Sequence, residues 1–170
     1  HNRAIGGSSA TQLTPDDKSF PSAVQRFLSE DTAKISGEKK ICFVINYGLN
    51  DYFTGYTVEQ YRDGLQAGVQ SLQDAYPDAE ILIASSNFDN GTAFNNDLDE
   101  ILNDYVTGAE ETAAAMNVFF LNTNEALQWN PQTAACYLVD AVHPNEEGRF
   151  LFGTAIIKAL EEDIFSYPVH

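Results

Sequence analysis

Ile41-Cys42-Phe43-Val44-Ile45-Asn46-Tyr47-Gly48-Leu49-Asn50-Asp51 is the stretch that decides the fold class. Its first five residues are continuously apolar and largely β-branched, the pattern of a strand covered on both faces in a parallel sheet. The six that follow are mostly polar and read as a loop leaving the strand's carboxyl end. Downstream, Thr57-Val58-Glu59-Gln60 has capping-box form, and Val58, Tyr61, Leu65, Val69, Leu72 and Tyr76 recur at three and four, so a helix is predicted to run up to Pro77. A second apolar run, Ile81-Leu82-Ile83-Ala84, gives way to Ser85-Ser86-Asn87 and a loop through Gly91. Leu98, Ile101, Leu102, Tyr105 and Val106 then mark another helix, and Val118-Phe119-Phe120-Leu121 a third strand. Glu146 to Glu161 reads as a last helix capped by Asn145. Upstream, Ser22 to Ala33 is a short helix candidate, and residues 1–21, rich in Gly, Ser, Thr and Pro, read as the end of a short strand running into a loop. Because each parallel connection needs a crossover, this alternation predicts an α/β sandwich with helices on both faces of a parallel sheet.

A chain of 170 residues fits one domain, and 44% apolar with 20% charged residues is ordinary for a globular one. The net charge of −16 repels phosphate backbones and anionic headgroups, so nucleic acid and membrane surfaces are not expected partners. No apolar run reaches the roughly 18 residues needed to span a bilayer, and the basic-then-apolar pattern of a signal peptide is not seen. Few lysines with many Tyr, Asn and Asp suit secretion by a bacterium. Cys42 and Cys136 could form one disulfide at most. No Cys or His cluster has metal spacing, the acidic Asp97, Asp99, Glu100 and Asp104 read as a solvated helix face, and no phosphate-binding glycine loop occurs, so neither metal nor cofactor is expected. Asn90-Gly91-Thr92 has the form of a glycosylation acceptor.

Chemistry is sought at the carboxyl ends of the strands. In Asp140-Ala141-Val142-His143-Pro144 a local turn could aim the carboxylate at the ring three residues on, fixing the tautomer and leaving Nε2 as a proton acceptor. An incidental loop hydrogen bond is the alternative. Asn50, leaving the end of a strand, could donate its amide to a developing oxyanion, and the Gly6-Gly7 pair could let backbone N–H groups approach a substrate oxygen. Either feature would also suit an ordinary turn. Trp129, Tyr47, Tyr52 and Phe53 flank the expected cleft, where packing and sugar stacking are both open. His1 and His170 are terminal and take no role.

Taken in order, these pieces resemble the SGNH, or GDSL-type, esterase and lipase superfamily. Asn2-Arg3-Ala4-Ile5-Gly6-Gly7 is similar to its second block, Gly48-Leu49-Asn50-Asp51 to its third, and Asp140-Ala141-Val142-His143-Pro144 to its fifth. The resemblance implies a three-layer, flavodoxin-like sandwich over residues 1–170 as one domain. It further implies that Gly7 and Asn50 form the oxyanion hole, that His143 is the general base, and that Asp140 orients it. The family's first block, which carries the nucleophilic serine on a central strand, has no counterpart here. Ser8 and Ser9 read as loop hydroxyls bonding local backbone. The expectation is therefore that the first strand and the nucleophile come from a segment outside this chain: a separate fragment, a co-expressed piece or a swapped copy. The activity so implied is hydrolysis of short acyl esters, with acetylated carbohydrate preferred. A noncatalytic module of the same fold and a flavodoxin- or receiver-like domain are the alternatives.

Overall fold

The computed structural model describes residues 4–15, 17–30, 32, 35, 37, 40–87, 101–140 and 142–165, the side chains of 131, 132 and 163 excepted. The expected features at Asn2-Arg3, Asn90-Gly91-Thr92, Asp97 to Glu100 and both terminal histidines lie outside these residues. In chain order the elements are α1 (Phe20–Glu30), β1 (Cys42–Ile45), α2 (Leu49–Thr54), α3 (Val58–Ala75), β2 (Glu80–Ala84), α4 (Leu102–Met116), β3 (Phe119–Leu121), α5 (Thr123–Leu127), α6 (Pro131–Ala134) and α7 (Glu146–Ala159).

The architecture is the α/β one expected. The three strands pair in parallel in the order β1-β2-β3, with Val44 opposite Leu82 and Ile83 opposite Phe120. The central β2 is buried from Ile81 to Ala84, as its uninterrupted apolar run requires. On one face Phe43, Ile45, Ile81, Ile83 and Phe120 meet the apolar stripes of α1, α3 and α4. Tyr61, Leu65, Val69 and Leu72 form the α3 stripe at the three-and-four spacing read from the sequence. The Thr57 capping box is present: its hydroxyl accepts from Gln60 N–H, and Gln60 Oε1 accepts from Thr57 N–H. A second, smaller cluster joins Trp129, Ala134 and Leu138 to Leu151 and Phe152 of α7. Asn145 caps that helix through Gly148 N–H, as anticipated.

Two readings are corrected. The stretch after Ile45 is not loop throughout: Leu49–Thr54 is a helix, ended by Gly55 in the left-handed conformation. Leu49, Tyr52 and Phe53 give it an apolar side at helical spacing, and Tyr52 is buried edge-on against Tyr105. The opening strand is also not formed by Ala4 and Ile5, which are irregular. A strand exists only by pairing, and β1 has no second neighbour among the described residues.

Candidate active site

Asn50 lies in the first turn of α2, directly beyond β1. Its side-chain amide donates to Ser8 O at 2.8 Å, bringing it against the N-terminal loop. That loop turns at Gly6-Gly7, closed by Ser8 N–H to Ile5 O. Gly7 has φ +72°, the left-handed value that the third residue of a tight turn takes and that glycine adopts without strain. Its N–H carries no hydrogen bond to the described residues. The Asn50 amide thus lies against the residue that follows Gly7.

The neighbouring Asp51 holds this arrangement. It is fully buried, and its carboxylate accepts from Ala10 N–H (2.9 Å), Thr11 N–H (2.8 Å) and the Thr11 hydroxyl (2.8 Å). Burial pushes its pKa upward, while these donors pull the other way. In the sequence Asp51 stands in the Gly48-Leu49-Asn50-Asp51 motif with no role of its own. Only the fold reveals that it ties the glycine turn to α2.

The second half of the site is the loop before α7. Asp140 Oδ1 accepts from Val142 N–H at 2.9 Å and His143 N–H at 2.8 Å, while Oδ2 lies 2.9 Å from His143 Nδ1. The two backbone donors, with the imidazole as a further partner, hold the exposed Asp140 carboxyl down at about 2. An ionised carboxylate only accepts, so Nδ1 carries the proton and Nε2 of the neutral ring offers its lone pair. The ring is open to solvent, with 72% of its side chain exposed. Spacing of three therefore produces the pair that the sequence suggested.

The halves share the carboxyl edge of the sheet. Gly48, the N-cap of α2, lies beside Ser86. The next residue, Asn87, donates its amide to Val142 O at 2.9 Å, next to His143. Among the described residues no serine hydroxyl is hydrogen-bonded to the His143 ring. Ser8 Oγ and Ser9 Oγ donate to Ile5 O and Thr11 O. The Ser85 hydroxyl pairs with that of Thr123, and the buried Ser86 hydroxyl has no partner among the described residues. The flanking aromatics pack: Trp129 stacks on Tyr137, and Tyr47 meets Phe20. Cys42 and Cys136 are both free, and burial raises the Cys42 thiol to about 11. No group of three or more possible metal ligands occurs among the described residues, nor does any helix there have the length and apolarity to cross a membrane.

The sequence profile of the GDSL-like Lipase/Acylhydrolase family matches residues 1–149. No curated protein matches the chain in sequence. Among solved structures it is similar to a protein from Lactobacillus plantarum, at 19% identity and a TM-score of 0.73, covering 94% of this chain and 79% of that one. A lipase/acylhydrolase from Enterococcus faecalis is similar at 20% identity and TM-score 0.62, over 84% of this chain and 70% of that one. An acetyl-xylooligosaccharide esterase from Geobacillus is similar at 16% identity and TM-score 0.57, over 82% and 68%.

Proposed function

The chain belongs to the GDSL-like lipase/acylhydrolase family, and on that premise we propose that it supplies the base and the oxyanion donors of a serine ester hydrolase. The observation that carries this is the Asp140–His143 pair, its Nε2 without a partner among the described residues, on the same sheet edge as the Gly7 turn and the Asn50 amide. The nucleophile is a serine on a segment outside these 170 residues, a reading supported by the want of any serine bonded to His143 among the described residues and by the unpaired edge of β1.

In the reaction, the serine oxygen attacks the acyl carbonyl and its proton passes to His143 Nε2. Asp140, ionised, stabilises the imidazolium and keeps the ring oriented. The carbonyl oxygen, now an alkoxide, accepts from Gly7 N–H and from the Asn50 amide hydrogen that Ser8 O does not use. The imidazolium returns its proton to the departing alcohol. Water, deprotonated by the same nitrogen, then releases the acid and restores the serine. Short acyl esters are the substrates, and acetylated carbohydrate is the preferred class, in keeping with the fold shared with an acetyl-xylooligosaccharide esterase and with an acidic, lysine-poor chain suited to secretion by a bacterium.

Hydrolysis of p-nitrophenyl acetate by the chain together with the segment that carries the serine tests the reading. His143→Ala is expected to lower kcat by about a hundredfold or more, and equal rates would remove His143 from the mechanism. A fluorophosphonate followed by peptide mapping identifies the polypeptide that carries the serine. The solitary base favours one other reading, a noncatalytic module of the same fold. No hydrolysis and no labelling under any condition would establish that reading instead.

A further inference from the structure

The loop bearing Asp140 and His143 is stitched within itself. Val139 N–H donates to His143 O and Asn145 N–H to Tyr137 O, each at 2.8 Å, and Leu138 bridges Pro144. A base on such a loop serves only if the loop is fixed relative to the edge that holds the oxyanion donors, since misplacement by about 1 Å can cost a hundredfold in rate.

The hydrogen bond that reaches this loop from the end of β2 is that of Asn87, whose Nδ2 donates to Val142 O across 55 positions of sequence. Asn87 is buried and stands on an immobilised edge. From the β1 side, Asn46 Nδ2 donates to Ala84 O (3.0 Å) and Ser85 O (2.8 Å). From the α5 side, the Thr123 hydroxyl lies 2.9 Å from that of Ser85, and Asn124 Nδ2 donates to Ser86 O at 2.9 Å. Residues 84–86 are therefore held from both flanks, and the next side chain hands that rigidity to the peptide unit preceding His143. We propose that Asn87 is a positioning residue for His143, clamping the base-bearing loop to the sheet. The proposal rests on the esterase reading for its consequence, but the clamp itself does not. A primary amide suits the task because it donates to a carbonyl without charge. An aspartate of the same shape would set acceptor against acceptor.

Asn87→Asp and Asn87→Gln, compared with the unaltered protein, decide it. In hydrogen exchange read by mass spectrometry, Asn87→Asp is expected to speed exchange across residues 137–145 by roughly tenfold or more, with α3 unchanged. Asn87→Gln, which keeps an amide donor, should fall between. On p-nitrophenyl acetate, Asn87→Asp should lower kcat roughly 10- to 100-fold with KM within about twofold, and should add nothing in a His143→Ala background. Unaltered exchange at 137–145 would overturn the clamp, as would a kcat loss that persists in full without His143. Should Asn87→Asp also loosen α3, the Asn87→Gln pattern decides: protection and kcat regained together support the proposal, and protection regained without kcat overturns it. If the unaltered chain, assayed together with the segment that carries the serine, hydrolyses nothing, the functional reading fails while the exchange result still stands or falls alone.

Discussion

Asp51 and Asp140 are both carboxylates in the candidate site, and their surroundings give them opposite behaviour. Asp51 is buried beneath the backbone of Ala10 and Thr11, themselves buried, so its removal strands two main-chain donors away from water. At about 1 to 3 kcal/mol for each buried donor left unpaired, Asp51→Ala is expected to lower the unfolding free energy by roughly 2 to 6 kcal/mol in urea titration. Asp51→Asn should cost less, because it keeps one acceptor oxygen and turns an NH2 group toward the other donor. A variant as stable as the parent would show that the loop finds other partners. Asp140 is exposed, and its partners are the backbone and ring of the residues that follow it. Its pKa in the folded state, about 2, lies below the roughly 3.9 of a free aspartate. The sign follows: its contribution to holding the loop is complete above that free value and disappears as pH falls through about 2. Amide exchange in residues 137–145, corrected for the intrinsic pH dependence, should therefore stay level from pH 7 to about pH 4 and accelerate below it. Acceleration already complete at pH 5 would contradict the ionised Asp140 on which the tautomer of His143 depends.

At the scale of elements, α3 is the piece around which α1 and the N-terminal loop are fitted. A Cβ on Gly68 would stand 2.3 Å from the Phe20 ring, and one on Gly64 would stand 2.1 Å from Ala10 O. Gly68→Ala is accordingly expected to destabilise by about 1 to 3 kcal/mol through overpacking, seen as a lower Tm, with partial recovery on adding Phe20→Leu. No loss would mean that α1 can slide. Elements of this kind were legible because periodicity survives in sequence: the three apolar runs became β1, β2 and β3, and the α3 and α7 caps fell where Thr57 and Asn145 stand. Short elements were not. α2, α5 and α6 span six, five and four residues, too few for a helical period to show, and they persist through tertiary contacts such as Tyr52 on Tyr105. In the site, the Asp140–His143 pair was readable because its partners are three residues apart. Asp51 on Ala10 and Asn87 on Val142 were not, since each joins distant segments and no local pattern records which asparagine will meet which carbonyl.

At the scale of the whole molecule, both outer strands of the sheet, β1 and β3, have one neighbour each among the described residues. β1 is hydrogen-bonded only to β2 among the described residues, and Val44, in its middle, is 44% exposed although its sequence is that of a strand covered on both faces. The last helix repeats the mismatch: α7 is apolar on most sides, and Phe150 and Ile157, two turns apart, remain exposed. A helix apolar all round is ordinarily a buried one, and an open apolar strand edge invites pairing. Both features fit a strand with its following helix docking beside β1. The test follows from chemistry rather than from shape. In material that hydrolyses p-nitrophenyl acetate, denaturing mass spectrometry is expected to find the fluorophosphonate adduct on peptides outside these 170 residues, whether in a longer polypeptide or a second one. Val44→Lys, which places a charge under the docking strand while leaving Asp140, His143 and Asn50 untouched, should diminish labelling and hydrolysis together. A folded monomer of 18.7 kDa that hydrolyses the ester and takes the label on one of its own serines would refute the docking strand outright, and would require that serine to approach His143 by a rearrangement of the loops at the carboxyl edge.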